Sequence, residues 1–364
     1  MRGRAQMLSR IKLPMPVGRA WGRGLCGAAL CGWMALAVAQ APPVEWIDTH
    51  FHFTMDDASS TAELVAKAKT LMQAENMRMM VVSSQPRPNM AGSDFLAVQR
   101  ELAADGKQFA VMAGGNSLNP LMHQIHEGKV PPEKVAAFRA LAEQSAQSGV
   151  KGFGEIALHH LSLNDLHAYE AIPADDGLVK TLVDVVAQYD LVLDVHFDPV
   201  LARMAKPAEL TSPNNPAEFA PNFEAFERLL AYNRKARIVW AHAGGNDMLG
   251  DFTPRLAAAM LERHPNLYMS LRPRGMQAGV MLQGRGKLNP EWVAVVQKYA
   301  DRFVMGSDSF LVADKAQGGP AARIFAERSA TQRQGILMVL AALPPDVARK
   351  VAFQNAVRIY KLEP

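Results

Sequence analysis

The sequence predicts an α/β fold, a single (β/α)8 TIM barrel with extra C-terminal helices over residues 40–364. Short apolar runs rich in strand-forming residues alternate with longer segments of helical period, which is the pattern of repeated βα units around a parallel sheet. Eight such units can be counted along the chain. The remaining length lies within the usual range for one barrel, and no internal repeat or low-complexity linker divides it.

The predicted strands are short and apolar, and each leads into a loop and then a helix. They cover residues 46–52, 77–83, 109–113, 152–156, 191–196, 237–242, 267–270 and 303–306. The predicted helices cover residues 61–75, 93–105, 131–148, 177–189, 222–233, 253–264, 290–300, 321–343 and 345–360. Several helices open with Pro or a capping residue, as a helix start should. The last two close the eighth unit and cover the barrel.

Residues 1–39 are predicted to be a cleaved signal peptide. Six basic residues and no acid precede an apolar run over 25–38, which is followed by the last residue of the small-x-small pattern Ala37-Val38-Ala39. The alternative is an uncleaved membrane anchor, but this run falls short of the roughly 20 apolar residues that span a bilayer. We therefore expect a periplasmic or secreted protein with no stable membrane anchor after cleavage.

Removing this leader changes the charge of the chain. Six of its 39 Lys and Arg residues lie in the leader, which leaves 33 against 35 Asp and Glu. No basic surface for nucleic acid is therefore expected. Cys26 and Cys31 also lie in the leader, so the mature chain would contain no disulfide and no cysteine nucleophile or ligand. The oligomeric state stays open, and a homo-oligomer is one possibility.

Four of the ten histidines end predicted strands. His50 and His52 close the first strand, and because alternate residues of a strand point to the same side, both imidazoles share one face. His196 ends the fifth strand and His242 ends the sixth. Each histidine alone could simply cap the mouth of a barrel. The ordered set indicates a shared site instead.

Two carboxylates occupy comparable places, Glu155 on the fourth strand and Asp308 just after the eighth. Strand ends from five units converge only if the sheet closes, and imidazole with carboxylate oxygen suits a divalent metal, most often Zn²⁺, with Mn²⁺ or Fe²⁺ as alternatives. One or two ions fit this set. Lys151 shares a predicted face with Glu155, which lies nearer the C-terminal end and is the preferred ligand. We expect Lys151 to form a buried ion pair with Asp194.

This ordered set resembles the metal-dependent amidohydrolase superfamily, particularly its amidohydrolase-related and TatD-like branches. That pattern has His-x-His on strand one, Glu or a carboxylated Lys on strand four, one His each on strands five and six, and Asp on strand eight. Residues 351–360 also look like the closing helix of the family. The resemblance spans residues 46–362. It implies a TIM-barrel enzyme with the metal ligands His50, His52, Glu155, His196, His242 and Asp308.

The expected reaction is hydrolysis of an ester, lactone, amide or phosphoester bond in a small-molecule substrate, by water that the metal activates. Asp308 would act as general base and then as general acid, and His242 would bind a second ion or polarise the scissile oxygen. Arg272 and Arg274 follow the seventh strand and form a candidate fork for a substrate anion. His159, after the fourth strand, is a further candidate for substrate binding.

Two alternatives stay open at this stage. Members of the amidohydrolase-related branch also decarboxylate aromatic acids through one metal ion, and the sequence does not separate the two reactions. The second alternative is a non-catalytic exported metal-binding or ligand-binding protein, against which the presence of Asp308 argues. A dinucleotide-binding fold is excluded because the first strand is followed by Phe53-Thr54-Met55 and not by a glycine-rich turn.

Overall fold

The computed structural model describes most of the chain after residue 43. The described residues are 44–54, 61–84, 86, 101–102, 104, 107–165, 167–243, 248–273, 282–283, 287–312 and 320–364. The predicted signal peptide, Arg274 and most of the predicted helix 93–105 lie outside them.

Nine strands form one sheet in which every neighbouring pair is parallel. They are β1 Trp46–Thr54, β2 Met77–Ser83, β3 Phe109–Gly114, β4 Gly152–His160, β5 Val192–Phe197, β6 Arg237–Ala243, β7 Leu267–Leu271, β8 Phe303–Met305 and β9 Ser309–Val312. Their order in the sheet is β8-β7-β6-β5-β4-β3-β2-β1-β9. All eight predicted strands are confirmed. A two-residue strand, Glu170–Ala171, adds antiparallel to the end of β4.

The sheet closes because its two edge strands are consecutive in the chain. β8 pairs with β7, and after a three-residue turn β9 pairs with β1. Across the seam, Thr49 Oγ1 donates to the carbonyl oxygen of Met305 at 2.8 Å, and the backbone N–H of Asp308 donates to the carbonyl oxygen of His50 at 2.9 Å. The predicted eighth strand is β8, and a ninth strand that was not predicted, β9, follows it and pairs with β1. The predicted TIM barrel is confirmed.

Helices follow the strands around the outside of the sheet. They are α1 Thr61–Ala74, α2 Leu118–His126, α3 Pro132–Ala146, α4 Gly177–Gln188, α5 Phe223–Tyr232, α6 Pro254–Arg263, α7 Pro290–Lys298, α8 Pro320–Ala342, α9 Pro345–Arg349 and α10 Asn355–Tyr360. The predicted starts of α6 and α7 are confirmed, since Thr253 and Asn289 accept backbone N–H groups and Pro follows each. α2 was not predicted, because Asn and Pro in its first turn are typical of a loop.

The alternation of strand residues separates two apolar cores. In β2, Met79 and Val81 belong to the cluster inside the barrel, whereas Met80 and Val82 belong to the larger cluster between the sheet and the helices. Tyr360 of α10 packs into the inner cluster together with the N-terminal halves of the strands. The C-terminal helix therefore closes one end of the barrel and leaves the other end for the polar residues. Among the described residues, no helix has the length and apolar character needed to cross a membrane.

Candidate metal centre

The C-terminal ends of the strands bring all six predicted ligands to one rim of the barrel. All are buried or nearly so: His50 and His52 on β1, Glu155 on β4, His196 on β5, His242 on β6 and Asp308 in the turn between β8 and β9. Residues far apart in the chain meet here because parallel strands of a closed sheet all end at the same rim.

Glu155 lies at the centre of this cluster. Its Oε1 is 2.8 Å from His196 Nδ1 and 2.8 Å from His242 Nε2. Its Oε2 is 3.5 Å from the Nε2 atoms of both His50 and His52. A single buried carboxylate therefore contacts four imidazoles. The structure favours Glu155 over Lys151 as the strand-four residue of the site.

His50 and His52 both present Nε2 to the centre. The Nδ1 atom of His50 is 3.1 Å from Asp194 Oδ2, and the Nδ1 atom of His52 is 3.3 Å from the carbonyl oxygen of Ser83. These outer acceptors favour the proton on Nδ1 and leave the Nε2 lone pair for a cation. Within the described part of the chain, the buried Nε2 atoms of His50 and His52 have no hydrogen-bond partner.

These donors fit a divalent metal. Unpartnered buried nitrogens beside carboxylates are costly in an apolar surrounding, and a cation bound among them would satisfy both groups. Two sets of three possible ligands have their donor atoms within 4.8 Å of one another: His50, Glu155 and His242, and His50, His52 and Asp308. His196 belongs to neither set and reaches the centre through its contact with Glu155.

Asp308 divides its two oxygens between the centre and two arginines. Its Oδ1 is 3.4 Å from His52 Nε2, while Oδ2 accepts from Arg272 and, at 2.6 Å, from Arg328 of α8. Burial would raise the pKa of Asp308, but Arg328 and Arg272 outweigh it and hold that pKa well below its ordinary value. Asp308 is therefore ionised at neutral pH.

The imidazole of His242 is neutral. Burial and the nearby Arg272 guanidinium hold the pKa of His242 well below its ordinary value, although Glu155 and Asp308 oppose them. A neutral imidazole is the form that binds a metal. His242 and Asp308 also have positive φ, 72° and 51° respectively. Such backbone is rare outside glycine and concentrates at functional sites.

Two glycines make room for the cluster. A Cβ atom on Gly306 would lie 2.1 Å from Ser270 Oγ and 2.8 Å from His50 Cβ. A Cβ atom on Gly154 would lie 2.8 Å from the Cβ of Asp194. Any side chain at either position would displace His50 or the carboxylate that supports it. Glycine is therefore required by the close approach of neighbouring strands.

The predicted ion pair between Lys151 and Asp194 does not form. Lys151 Nζ donates instead to the carbonyl oxygen of Lys361 at 2.9 Å, and Asp194 is bonded to His50. The prediction assumed regular alternation from Lys151 to Glu155. However, β4 begins only at Gly152, and its register against β5 shifts further along the strand. Lys151 therefore lies at the end of the barrel away from the site.

The other predicted substrate contacts have mixed outcomes. His159 is buried, with Nδ1 2.7 Å from the carbonyl oxygen of Asp198 and Nε2 3.0 Å from Tyr169 Oη. This geometry favours a structural role for His159. Arg272 lines a small cleft beside the cluster, together with His196, Asp198, His242 and Phe252. Its role in substrate binding stays a prediction, as does that of Arg274.

Sequence reasoning missed a group of polar residues beside His196. Glu170 is buried and accepts from Asn119 Nδ2 at 2.8 Å, while His160 Nδ1 and His123 Nε2 lie 3.3 Å and 3.6 Å from its oxygens. We call these four residues the Glu170 cluster. The His160 ring lies 3.9 Å from that of His196, centroid to centroid. Two members, Asn119 and His123, lie on α2, and because this helix was not predicted, their position could not be predicted either.

Asp198 and Arg328 were also missed. Asp198 Oδ2 is 3.2 Å from His196 Nε2 and accepts the backbone N–H of Leu161 at 3.1 Å. The pattern His196-Phe197-Asp198, with the acid two residues after a strand-end histidine, offered a signal for it. Arg328 reaches Asp308 from α8, and the sequence does not indicate which face of this helix meets the barrel.

Known proteins resemble this chain at the level of family and fold. The family described as Amidohydrolase matches residues 47–362. A mutant organophosphorus hydrolase from Deinococcus radiodurans is 15% identical, with a TM-score of 0.51 over 87% of this chain and 92% of that chain. 2,6-Dihydroxybenzoate decarboxylase from Rhizobium is 13% identical, with a TM-score of 0.46 over 87% and 99%.

A further decarboxylase structure is similar to the chain at lower identity. It is 5-carboxyvanillate decarboxylase from Novosphingobium aromaticivorans, complexed with manganese: 10% identical, with a TM-score of 0.44 over 88% of this chain and 96% of that chain. No curated protein sequence matches significantly. At these identities the Deinococcus structure supports the shared fold and nothing finer.

Proposed function

Because the chain belongs to the amidohydrolase family, whose match covers residues 47–362, we propose that it is a metal-dependent hydrolase of a small-molecule substrate. The superfamily predicted from the sequence is confirmed, while the TatD-like branch stays a prediction. One observation carries the proposal: the Glu155 carboxylate contacts four imidazoles, and within the described residues the buried Nε2 atoms of two of them accept or donate no hydrogen bond.

The cluster offers ligands for one or two divalent ions. His50, His52 and Asp308 form one set around a shared centre, and Glu155 adds an oxygen to it. His196 and His242 both lie on the other oxygen of Glu155, so they would complete a second site that shares this carboxylate. Nitrogen and oxygen donors of this kind suit Zn²⁺ best, with Mn²⁺ or Fe²⁺ as alternatives.

Asp308 and His242 would have separate roles in the proposed hydrolysis. A bound divalent ion would lower the pKa of a coordinated water from about 15.7 towards 7. Asp308, held ionised by its arginines, presents Oδ1 to the centre and can accept the proton of that water and later pass it to the leaving group. His242 can stabilise charge that develops on the scissile oxygen. The bond cleaved would be an ester, lactone, amide or phosphoester.

Metal analysis of the purified protein and a substrate screen test this proposal. We expect at least one equivalent of a divalent transition metal and hydrolysis of one of the four bond classes, lost on chelation and restored by metal. In ¹⁸O-labelled water, a hydrolase incorporates the label into its product. Release of carbon dioxide, with no label in the organic product, would favour the decarboxylase instead. A metal-loaded protein that catalyses neither hydrolysis nor decarboxylation would be a binding protein.

We also propose that residues 1–39 are removed when the chain is exported to the periplasm or the medium. The mature protein would then begin at Gln40. Mass spectrometry of protein recovered from the periplasmic fraction and the medium tests this. A full-length chain retained in the cell would contradict it.

A further inference from the structure

Two arginines from separate elements converge on one oxygen at the rim of the site. Arg272 follows β7 and Arg328 belongs to α8, and both guanidinium groups donate to Oδ2 of Asp308. The other oxygen, Oδ1, faces His52. Neither arginine is needed to complete the ring of imidazoles around Glu155. Besides holding Asp308 ionised, the pair therefore presents two cationic groups at the rim of the site.

Among the described residues, one carboxylate, that of Asp308, forms an ion pair with both guanidinium groups. Within the same part of the chain, Arg272 Nε is buried and has no partner. The side chain of Arg272 is only 9% exposed, so water does little to screen its charge. A cation held on Oδ1 of Asp308 would draw the carboxylate charge away from the arginines. A second anion at this position would therefore be stabilised.

The surroundings of the pair fit the anionic end of a substrate. Of the pair, Arg272 lines the cleft that His196 and His242 also line, so a ligand there lies beside the proposed metal centre. The guanidinium of Arg328 lies 5.6 Å from the centre of the Phe310 ring, which in turn stacks on His52 at 4.8 Å. A flat aromatic surface thus adjoins the two donors.

We propose that Arg272 and Arg328 form a carboxylate-binding subsite, and that the substrate carries a carboxylate next to the bond that is cleaved. A carboxylate is favoured because the pair already holds one, that of Asp308, and guanidinium groups match its planar geometry. Arg328 is thus a partner for Arg272 that the sequence did not predict, while the role of Arg274 stays a prediction. This proposal rests on the proposed function, because the ligand of the subsite is the substrate of that reaction.

Binding of benzoate to the metal-containing full chain tests the subsite by isothermal titration calorimetry, with the neutral isostere benzamide beside it. Benzoate should bind and benzamide should bind much more weakly. Arg328→Gln should raise the Kd for benzoate about tenfold to hundredfold, and Arg328→Lys should raise it less. Arg263→Gln is the matched control, because Arg263 pairs with Glu227 on the surface. It should leave the Kd unchanged.

Three results would overturn the subsite: equal affinity for benzoate and benzamide, an unchanged benzoate Kd in Arg328→Gln, or tighter binding of inorganic phosphate than of benzoate. If Arg328→Gln does not fold, the affinities of the natural chain and of Arg328→Lys for benzoate and benzamide still test the subsite. A metal assay on each variant shows that the metal is retained.

A pair of esters separates the subsite from the proposed hydrolysis. For phenyl acetate and phenyl hydrogen succinate, Arg328→Gln should raise KM more for the ester that carries a carboxylate, because any effect through Asp308 is common to both esters. An equal loss for both esters would mean that Arg328 merely positions Asp308, and the subsite would be refuted. If neither ester is cleaved and the wider screen also fails, hydrolysis is refuted while the benzoate results still test the arginines.

Discussion

Replacing Asp194 tests the proposed metal centre without altering any proposed ligand. Its Oδ2 lies 3.1 Å from His50 Nδ1, and the two side chains are 3% and 2% exposed. The contact favours the proton on Nδ1, which directs the Nε2 lone pair towards Glu155. Replacing Asp194 should therefore weaken metal binding through the orientation and basicity of His50 alone.

The expected loss follows from what each replacement leaves behind. Removing an outer acceptor of a ligating histidine lowers metal affinity about 10- to 100-fold, which corresponds to roughly 1.4–2.8 kcal/mol. Asp194→Asn keeps an oxygen that can accept the same proton but removes the charge, so we expect about tenfold. Asp194→Ala removes the acceptor altogether, so we expect about a hundredfold.

Competition with a chromophoric chelator gives the Kd for Zn²⁺ and Mn²⁺. The matched control is Asp184→Asn, because Asp184 lies on α4 and bonds only to Tyr232 and Asn233 among the contacts described for it. The control should bind metal like the natural chain. A folded Asp194→Ala variant with an unchanged metal Kd would refute the proposed support of His50.

Three further substitutions test other parts of the account. Asp308→Asn should reduce turnover by about 100-fold or more while circular dichroism shows the fold intact; unchanged turnover removes Asp308 as the base. Gly306→Ala should lower the free energy of unfolding by ~1–3 kcal/mol, since its Cβ would lie 2.1 Å from Ser270 Oγ, whereas Gly177→Ala, where no atom lies within 4 Å, should not lower it. Burial would raise the pKa of Glu170, but its cluster holds it below the ordinary 4.5. The ionised form of Glu170 therefore contributes stability that is present above about pH 5 and is lost as pH falls. Glu170→Gln should lose more stability in urea unfolding at pH 7 than at pH 4; an equal loss at both would contradict this.

Much of the barrel could be predicted because its signals are local. The eight strands are runs of apolar residues, and the alternation inside them sorts the two cores and sets His50 and His52 on one face. What failed depended on contacts between distant segments. β9 was not predicted, because its pairing with β1 exists only once the ring closes. Lys151 was misplaced because a register shift within β4 cannot be read from the sequence.

The residues of the site that were predicted differ from those that were missed in the same way. Its ligands come from strand ends, whose position in a barrel follows from the order of the chain. Arg328 instead reaches the site from a helix, and nothing in its local sequence shows which helix face meets the barrel mouth. At the end of β4, the sequence does not show which of the two adjacent histidines, His159 or His160, contacts the site. The first is engaged at both nitrogens, and only the second packs against His196.

Barrel closure and the metal centre depend on the same buried carboxylate. Asp48 Oδ1 accepts the backbone N–H of His50 at 3.1 Å and that of Ser307 at 2.9 Å, and Ser307 Oγ donates to Oδ2 at 2.5 Å. Burial raises the pKa of Asp48 to about 6, although the bonds from Ser307 and His50 oppose it. Asp48 thus joins the first strand to the turn that carries Asp308. The His50 and Asp308 ligands, 258 residues apart in the chain, are fixed relative to each other by the contact that seals the sheet.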